Sequence, residues 1–360
     1  MRKSQLNISI LVVRLSSVGD VVIASPFAEM LKRHYPNSRI VWAVQPDAVE
    51  ILKNNPFVDD LFVFDKARWV SLLRQMRFKE LVQVLKTIHK TLINEQFEVA
   101  YDLQGLFKSG LITWLSGAKS RIGLGSREGS HWFVHKMVSR NIANRSIVGS
   151  EYRYLINQLG FADDDWCIRL HTPENTEISA KKRLQERLAE GESYVALCPF
   201  ANSRQKQWPT TYWEQLALRL RGRYQLRSIV LGAESDWEAA QELAKRCGVV
   251  NLCGVLSLQE SSVLIQRASL TVGVENALTH VAQASDSPSI ALFGPNCPYT
   301  FSGGANSKVI YLDKTCSPCH RPSACQGRFD CMQDISPDRV LTEIKQLLTS
   351  TQQFQAVVET

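Results

Sequence analysis

Short runs of β-branched and other apolar residues alternate with longer amphipathic stretches along the whole chain. In the first half, the apolar runs predict strands over 8–13, 39–43, 61–64, 99–101 and 121–122. Apolar residues three and four positions apart predict helices over 20–34, 78–94 and 107–116. Strands that alternate with helices are typical of parallel sheets with crossover helices. We therefore expect the first half to form a wound α/β domain.

A polar segment over 161–176, with three aspartates at 163–165, indicates a hinge before the alternation restarts. The later strands are predicted over 194–198, 228–231, 249–252, 270–273 and 289–292. The later helices are predicted over 210–222, 235–247, 258–268 and 277–285. The fold class is therefore α/β, with two Rossmann-like, doubly wound domains facing a central cleft and ligands beyond the carboxyl ends of the strands. We expect an N-terminal domain over 1–165, a linker over 166–176, a C-terminal domain over 177–348 and a polar tail over 349–360.

The composition of the chain indicates the class of protein and the cellular compartment. The chain has 360 residues, of which 44% are hydrophobic and 21% charged, which excludes wholesale disorder, a collagen-like repeat and a disulfide-stapled miniprotein. No stretch approaches the roughly 18 apolar residues of a membrane helix. The N-terminal apolar run lacks the features of a signal peptide. We expect a cytosolic chain whose nine cysteines are reduced, with metal binding as the alternative.

The positive charge is concentrated in one stretch of the chain. The formal net charge is +7, but residues 66–145 alone contain 14 Lys and Arg against 5 Asp and Glu, which leaves −2 for the remainder. Aromatic residues are interleaved with these cations, at positions 69, 78, 107, 114, 132 and 133. A cationic surface with aromatic side chains suits an anionic membrane or a phosphorylated glycolipid. A solvated helix face and nucleic acid are the alternatives, but no nucleic-acid recognition module is present.

The first candidate site directly follows the first predicted strand. It is the segment 14–21, with the sequence Arg-Leu-Ser-Ser-Val-Gly-Asp-Val. Its small residues, Ser17 and Gly19 among them, let the backbone turn closely into a helix, and Asp20 lies at the start of that helix. A carboxylate at this position could act as a general base. Capping of the helix N-terminus is the structural alternative, since Asp is a good capping residue.

The second candidate site follows the first strand of the second half. Asn202, Ser203, Arg204 and Lys206 form a donor-rich loop ahead of the next helix. Lys206 could hold a phosphate group as a point charge, with help from hydroxyl and amide donors. An ordinary polar connection between a strand and a helix is the alternative.

The third candidate site runs from a strand end into a helix over 273–280, with the sequence Gly-Val-Glu-Asn-Ala-Leu-Thr-His. A helix that starts here directs free backbone N–H groups and its positive dipole end at an anion. His280 lies one turn inside this helix, where a catalytic role and a packed histidine are both open. A tight Phe-Gly-Pro-Asn turn over 293–296 ends the next strand at the same edge.

Taken together and in order, these segments resemble glycosyltransferase family 9, the ADP-heptose:lipopolysaccharide heptosyltransferases. The resemblance extends over nearly the whole chain. It includes the Ser-x-x-Gly-Asp opening at 16–20, the segment 102–109, Lys-Gln-Trp-Pro at 206–209, the segment 273–280 and the Phe-Gly-Pro turn at 293–295. It implies a GT-B fold and an inverting transfer of heptose from ADP-L-glycero-D-manno-heptose to the inner core of lipopolysaccharide, onto lipid A–Kdo or its heptosylated product.

The resemblance also implies roles for particular residues. Asp20 matches the general base, and Lys206 matches the lysine that faces the donor diphosphate. Asp236, or alternatively Glu238, matches an acidic contact to the ribose. The backbone near Leu256 would meet the adenine.

The remaining roles fall to groups of residues. The turn from Asn276 to His280 would hold the donor phosphates. The nucleotide sugar as a whole would be bound by the start of the 277–285 helix and the loop ahead of the 210–222 helix, namely Asn202, Ser203, Glu275, Asn276, Ala277, Leu278, Thr279 and His280. The lipid acceptor would meet the small-residue opening and nearby cations, namely Ser17, Gly19, Arg68, Lys108, Arg121 and Arg127.

Two features qualify the resemblance. The family commonly has Asp-Ser/Thr-Gly where this chain has Glu-Asn-Ala at 275–277, and the lost glycine changes how closely the backbone can approach a phosphate. A cysteine cluster follows with C-x2-C-x5-C-x5-C spacing, at Cys316, Cys319, Cys325 and Cys331. Such spacing could form a zinc site, and reduced thiols or a labile disulfide are the alternatives.

The expected partners are ADP-heptose, the lipopolysaccharide core or lipid A acceptor and an anionic membrane surface, with no nucleic acid. We expect peripheral association with the inner face of the cytoplasmic membrane of a Gram-negative bacterium. No D-x-D signature is present at a strand end, so no cofactor is required, and Mg²⁺ is possible but not implied.

Two other functions compete with this one. The first is that of a related family member that uses a hexose or hexosamine donor for cell-surface glycans. The second, more remote, is that of a non-catalytic protein that binds metal or nucleic acid. A Rossmann dehydrogenase is disfavoured, since no G-x-G-x-x-G follows the first strand.

Overall fold

The computed structural model describes residues 7–140, 148–162, 166–285, 287–296, 306–319 and 325–350. Its contacts divide the chain into two compact units. The first unit comprises Met1–Ala143 and Gly149–His171, and the second comprises Asn144–Val148 and Thr172–Thr360. The aspartates at 163–165, on which the hinge prediction relied, lie outside the described residues, as do residues 145 and 297 and the tail beyond 350.

Within the described residues, six parallel strands form the sheet of the first unit. They are β1 (Ser9–Val13), β2 (Arg39–Val44), β3 (Asp60–Val63), β4 (Val99–Asp102), β5 (Ser120–Leu124) and β6 (Lys136–Val138). The strand order is β3-β2-β1-β4-β5-β6. The central strand β1 pairs with β2 on one side and β4 on the other, and its last four residues are buried. A strand covered on both faces is apolar nearly throughout, which explains its Ser-Ile-Leu-Val-Val sequence.

Seven α-helices accompany this sheet in the part of the first unit that the structure describes. They are α1 (Val18–Ala24), α2 (Pro26–His34), α3 (Val49–Leu52), α4 (Lys66–Arg74), α5 (Phe78–Ile93), α6 (Phe107–Leu115) and α7 (Ser150–Gln158). The single helix predicted over 20–34 is wrong in one respect. It is divided at Ser25, because Pro26 has no backbone N–H and begins a new helix. Helices α3, α4 and α7 and strand β6 were not predicted.

The second unit repeats this arrangement, with six further parallel strands among its described residues. They are β7 (Tyr194–Cys198), β8 (Arg227–Val230), β9 (Val250–Asn251), β10 (Leu270–Val274), β11 (Ser289–Phe293) and β12 (Ser307–Tyr311). The strand order is β12-β11-β10-β7-β8-β9. Read from the other edge, as β9-β8-β7-β10-β11-β12, it is the same order as in the first sheet. The prediction of two doubly wound α/β sheets is confirmed. Strand β12 was not predicted.

The described ranges of the second unit contain seven α-helices. They are α8 (Glu174–Gln185), α9 (Thr210–Tyr224), α10 (Trp237–Cys247), α11 (Leu258–Arg267), α12 (Ala277–Ala284), α13 (Asp330–Gln333) and α14 (Pro337–Ser350). Helices α8, α13 and α14 were not predicted; α8 begins inside the predicted linker, and α14 extends into the predicted polar tail. None of the helices in the described ranges is long and apolar enough to cross a membrane.

Each unit has a hydrophobic core of its own. The first unit buries a cluster that includes Leu11 and Val13 of β1 and Ile112 of α6. The second buries a larger cluster around Trp208 and Trp213. These cores fix the strands, and thereby the loops that leave the carboxyl ends of the strands.

Candidate active site

The residues predicted to carry chemistry lie where the strand order of each sheet reverses. In the first unit the reversal falls between β1 and β4, and in the second it falls between β7 and β10. Loops that leave two such strands open a crevice at the carboxyl ends, which is where ligands bind in wound sheets. The segment with Asp20 follows β1, and the segment with Lys206 follows β7.

Asp20 is the third residue of α1, and its carboxylate closes the start of that helix. Asp20 Oδ2 accepts hydrogen bonds from the backbone N–H of Ser17 at 3.0 Å and from the Ser17 hydroxyl at 2.9 Å. The capping alternative is therefore realised, with Ser17 at the N-cap and the small Gly19 buried behind it. The Asp20 side chain is nevertheless 41% exposed. The same carboxylate is thus anchored on the protein side and open to a substrate on the other.

A buried arginine supports Asp20 from inside the unit. Arg14 Nη2 lies 2.9 Å from Asp20 Oδ2, and the Arg14 side chain is only 8% exposed. Burial acts to lower the pKa of Arg14, but the surrounding groups, Asp20 first among them, outweigh it and raise that pKa above its usual value. Arg14 therefore stays charged, and its charge favours the ionised carboxylate that a general base requires.

The loop after β4 contributes an amide and a lysine to the same crevice. Gln104 Oε1 accepts from the backbone N–H of Leu15 at 3.0 Å, and Gln104 Nε2 donates to Ser16 Oγ at 3.3 Å. Lys108 Nζ donates to the same Ser16 oxygen at 3.4 Å. Ser16 thereby links the two loops that the strand reversal brings together. No role was predicted for Arg14, Ser16 or Gln104, although Arg14 and Ser16 lie in the segment 14–21 and Gln104 lies in the segment 102–109.

Lys108 sits in a strongly cationic environment. Partial burial lowers its pKa, and the nearby positive charges of Lys66 and Arg14 lower it further against the opposing effect of Glu128. Cations held close together at a cost in free energy are typical of a site for an anionic ligand. Of the cations predicted to meet the acceptor, Lys108 is the one that the structure places beside the loop of Asp20.

The other predicted acceptor cations occupy different positions. Arg68 is exposed in the first turn of α4. Arg127 is exposed in the loop after β5, where its backbone N–H donates to the carbonyl of Gly105 at 3.0 Å. Arg121 is not brought to the crevice, because it is the second residue of β5 and its guanidinium donates to the carbonyls of Phe133 and Ala118. Those bonds tie β5 to the segments on either side of it, which is a structural role.

A groove of about 520 Å³ adjoins this crevice. It is bordered by Gln45, Pro46 and Asp47 after β2 and by one face of α4 as far as Arg74 and Gln75. The Gln45 amide lies 3.5 Å from Ser16 Oγ, which places one end of the groove beside the loop of Asp20.

A buried carboxyl group shapes the loop after β4. Asp102 is fully buried, and its Oδ1 accepts from the backbone N–H groups of Gln104 and Gly105 at 3.0 Å each. Asp102 Oδ2 has no hydrogen bond of standard geometry in the described chain, although the Ser109 hydroxyl favours its charged form. Burial raises the pKa of Asp102 despite these polar neighbours. Asp102 thus positions the segment of Gln104 and Lys108 from inside the unit.

In the second unit, Lys206 and Glu275 face each other across the strand reversal. Lys206 Nζ lies 2.9 Å from Glu275 Oε1, and Asn296 Nδ2 donates to the same oxygen at 2.7 Å. The second oxygen, Glu275 Oε2, is buried and has no partner among the described residues. The Lys206 side chain remains 24% exposed, so its ammonium can still be reached by a ligand.

The helix start at 276 is held to the end of β7. Asn276 Oδ1 accepts from the backbone N–H of Thr279 at 2.9 Å, and Asn276 Nδ2 donates to the carbonyls of Cys198 and Phe200 at 3.0 and 2.8 Å. Residues 277 and 278 are partly exposed at the first turn of α12. The N-terminus of this helix is therefore fixed beside the loop that carries Lys206, as an anion site requires.

His280 and Thr279 lie behind this helix start. His280 is 8% exposed, its Nδ1 lies 3.3 Å from Gln283 Oε1, and its ring meets the edge of Phe293. Thr279 is fully buried against Gly273, where a Cβ would collide with the threonine hydroxyl. The structure thus gives both side chains packing positions, and the catalytic role predicted for His280 stays a prediction.

The polar residues of the loop before α9 differ in their exposure to solvent. Asn202 is exposed, and Ser203 is the residue that precedes the short 3-10 helix Arg204–Lys206. The backbone N–H of Lys206 donates to the Ser203 carbonyl at 3.0 Å. This turn holds the lysine side chain at the end of β7.

A second cavity, of about 530 Å³, lies at the carboxyl ends of β8 and β9. Its lining includes Glu238, Gly254 and Val255, and Leu256 is the next residue. Asp236 is not part of the lining, because its carboxylate accepts from the backbone N–H at position 233 at 2.9 Å and closes a 3-10 helix there. Of the two acidic residues that the sequence offered for the ribose, the geometry therefore favours Glu238.

The cysteine cluster lies around the turn after β11. The backbone N–H of Cys319 donates to the carbonyl of Pro295 at 2.9 Å. Burial raises the pKa of Cys331 to about 11, and the neighbouring thiols Cys319, Cys316 and Cys325 contribute to the rise. These four cysteines are free thiols. Within the described ranges, no three His, Cys, Asp or Glu side chains are placed to hold a metal ion.

The chain is similar in sequence to known glycosyltransferases. The chain matches the sequence profile of glycosyltransferase family 9 (heptosyltransferase) over residues 84–327. It is 26% identical to lipopolysaccharide heptosyltransferase 1 of Pseudomonas aeruginosa, over 94% of this chain and 98% of that protein.

Two solved structures share the fold. The glycosyltransferase family 9 protein of Veillonella parvula superimposes with a TM-score of 0.82 at 19% identity, over 97% of this chain and 100% of that one. The E. coli heptosyltransferase WaaC with ADP-2-deoxy-2-fluoro heptose superimposes with a TM-score of 0.72 at 22% identity, over 94% and 99% of the two chains. These structures confirm the predicted fold class. The profile match covers about two thirds of the sequence, and the chain therefore belongs to glycosyltransferase family 9, the heptosyltransferases.

Proposed function

We propose that the protein transfers heptose from ADP-L-glycero-D-manno-heptose to the inner core of lipopolysaccharide, with inversion at the anomeric carbon. The acceptor would be lipid A–Kdo or its heptosylated product, presented at the cytoplasmic face of a Gram-negative inner membrane. The observation that carries the proposal is the anchored but exposed carboxylate of Asp20, held by buried Arg14 at the strand reversal of the first unit. Family membership and the lysine at the second reversal support it.

In the proposed reaction, Asp20 accepts the proton of the acceptor hydroxyl as that oxygen attacks the anomeric carbon of the heptose. The bond between this carbon and the diphosphate oxygen breaks on the opposite side, so that ADP leaves with the bonding electron pair. Arg14 favours the ionised form of Asp20, and a positioned base of this kind contributes about 10²- to 10⁴-fold to the rate.

The second unit would stabilise the departing diphosphate. Lys206 and the positive dipole end of α12 offer positive charge where negative charge develops. The cavity beside Glu238 would hold the nucleoside. We propose that these groups suffice without a divalent cation, so turnover should persist in the presence of EDTA.

The test of the proposed function supplies ADP-heptose and a heptose-deficient lipopolysaccharide acceptor, and measures ADP release and the product linkage by NMR. We expect ADP to form only when both substrates are present, with inverted configuration in the new linkage. Retention of configuration would rule out the single-displacement mechanism, and no product with any heptose-deficient acceptor would rule out the activity.

The second candidate function is transfer from another nucleotide sugar, with a hexose or hexosamine. It is motivated by Glu275, which stands where the family commonly has Asp and whose second oxygen is unpartnered in the described chain. A thermal-shift panel of nucleotide sugars separates the two functions, because a ligand that binds only the native state raises the melting temperature. A larger shift with UDP-sugars than with ADP-heptose would favour this second candidate.

A further inference from the structure

We propose that the turn between α4 and α5, residues 73–82, docks the protein on an anionic lipid bilayer. This docking turn exposes four large apolar side chains within ten residues, namely Leu73, Met76, Phe78 and Val82. Met76 and Phe78 are 72% and 55% exposed. The inference rests on the proposed function, because a lipid-linked acceptor requires the enzyme to work at a membrane.

The backbone at the tip of the turn presents Met76 outward. Met76 has a φ of 55°, in the left-handed region that glycine or asparagine adopts more readily. Met76 therefore has a backbone conformation that methionine rarely adopts, and its flexible apolar side chain is exposed. Apolar side chains at the tip of an exposed turn gain free energy when they enter the interfacial region of a bilayer.

The charge around the docking turn complements an anionic surface. Residues 66–93 contain seven Lys and Arg against one acidic residue, Glu80, and Glu80 is paired with Arg77 at 2.6 Å. Lys79 and Lys86 are exposed on α5 next to the apolar residues. Each cation near an anionic leaflet strengthens binding about fivefold. Charge and apolar exposure thus coincide on one element.

The docking turn also lies at one end of the groove along α4. The groove ends at Arg74 and Gln75 on the side of the turn, and Gln45 at its other side lies beside Ser16 and the loop of Asp20. A glycolipid held in a bilayer under the docking turn could extend its polar head group along this groove, which is lined by both cations and carboxylates, to Asp20. A second copy of the chain is the alternative occupant, but the concentration of like charge disfavours self-association of this surface.

The test is co-sedimentation of the full-length protein with vesicles of phosphatidylethanolamine and phosphatidylglycerol. The first variant combines Met76→Asn and Phe78→Ser, in which asparagine keeps the left-handed backbone. The second combines Lys79→Glu and Lys86→Glu. We expect vesicle affinity to fall about tenfold or more in the first and about 25-fold or more in the second. Wild-type affinity should fall with added salt and be weak for phosphatidylcholine vesicles.

Matched controls come from the second unit. The pair Ile178→Ser and Leu218→Ser removes two exposed apolar side chains, and the pair Lys182→Glu and Lys345→Glu reverses two exposed charges. These controls should bind vesicles as the wild type does, and all variants should keep the wild-type melting temperature within a few degrees. Gel filtration should show the same oligomeric state for all, since a shift confined to the turn variants would assign the surface to a second copy instead.

Activity measured on two acceptors separates this proposal from the proposed function. With a de-acylated, water-soluble acceptor, the docking-turn variants should keep wild-type turnover, while on acceptor in vesicles they should lose about tenfold or more. Wild-type vesicle affinity in the turn variants would overturn the docking proposal and leave the transferase function intact. Absence of turnover on both acceptors in the wild type would overturn the function, whatever the vesicles show.

Discussion

The side chain of Asp20 caps a helix and is also the group that we propose as the general base. Its carboxylate accepts two hydrogen bonds from Ser17 and pairs with buried Arg14, yet it remains substantially exposed. Substitution by alanine would remove both tasks together, because it uncaps α1 and leaves the Arg14 charge buried without this partner. An informative variant must keep the hydrogen-bond acceptor and remove the basicity.

We predict that Asp20→Asn lowers kcat/KM for heptose transfer about 10²- to 10⁴-fold while the protein still binds ADP. Asparagine retains an oxygen for the Ser17 bonds, and donor binding is assigned to the other unit. The measurements are steady-state ADP release and ADP titration by calorimetry. Turnover within about threefold of wild type would remove Asp20 from the chemistry.

Lys108 shows the opposite balance between stability and function. Burial and the neighbouring cations Lys66 and Arg14 lower its pKa, which means that the folded state bears a cost for keeping Lys108 charged. We predict that Lys108→Met raises the melting temperature at neutral pH and weakens acceptor binding. Methionine keeps the apolar stem and removes the charge.

The pH dependence of this gain has a definite sign. The pKa of Lys108 is lower in the folded than in the unfolded chain, so wild-type stability rises with pH between those two values. The stability difference between Lys108→Met and wild type should therefore be largest near neutrality and shrink at alkaline pH. Melting curves from about pH 7 to pH 10 measure it, and a difference that grows with pH would contradict the assignment.

For single residues, the sequence indicates candidates for the reacting groups, but it does not indicate the residues that position them. Asp20, Lys206 and Asn276 lie in the segments that connect a predicted strand to the next helix, and they belong to the motifs that carry the family resemblance. The contact between Gln104 and Leu15 joins residues 89 positions apart, and it becomes visible only when β1 and β4 are known to be neighbours. Arg121 was predicted to bind the acceptor because it is one of many cations in this stretch. The sequence does not show that its guanidinium is bonded to backbone carbonyls beside β5.

Among the elements, the loop between β4 and α6 depends on a buried carboxyl group. Asp102 holds two backbone N–H groups with one oxygen and leaves the other without a well-formed hydrogen bond in the described chain. Burial raises its pKa, so the folded state loses stability as the pH rises from the unfolded pKa toward the folded one. Wild type should therefore be relatively more stable at mildly acidic pH.

We predict that Asp102→Asn removes this part of the pH dependence. The melting temperature of the wild type should fall, relative to the variant, as the pH is raised from about 4 toward neutrality. Asp47→Asn, at an exposed site in the same unit, controls for the loss of one carboxylate in itself. Parallel curves of melting temperature against pH for wild type and Asp102→Asn would show that folding does not raise the pKa of Asp102, and would contradict the prediction.

The buried central strands were predicted more accurately than the edge strands. The central strand β7 was predicted with its observed bounds, and β1 and β10 within one residue, because their continuous apolar runs leave little choice. The edge strands β6 and β12 were missed, since an edge strand has fewer neighbours and tolerates polar residues. Helix α4 was missed because its cations obscured the apolar spacing.

The whole molecule consists of two units, each with its own sheet and core. Because the residues proposed to bind the donor, Lys206 and the start of α12, lie in the second unit, nucleotide should stabilise that unit first. We predict that saturating ADP slows amide hydrogen exchange at 203–208 and 275–280 and leaves 14–20 and 104–108 close to their rates without ligand. Mass spectrometry of peptic peptides measures this. Protection confined to the first unit would contradict the assignment of donor and acceptor.

The division into two wound domains was predictable from the sequence, because the alternation of strands and helices stops and restarts. The groove along α4 was not, since it depends on how an unpredicted helix packs against the loop after β2. The same holds for the docking turn, whose apolar side chains look like ordinary core positions in the sequence until their exposure is known.

The shared winding order of the two sheets has an evolutionary consequence. The groove after β2 and β3 and the cavity after β8 and β9 occupy corresponding places in the two sheets. Each half can accumulate substitutions at its own strand ends without disturbing the other half's core. Under the proposed function, recognition of the nucleotide and recognition of the glycan could therefore diverge at separate rates, and recombination that joins halves of different ancestry could create new pairings of sugar and recipient.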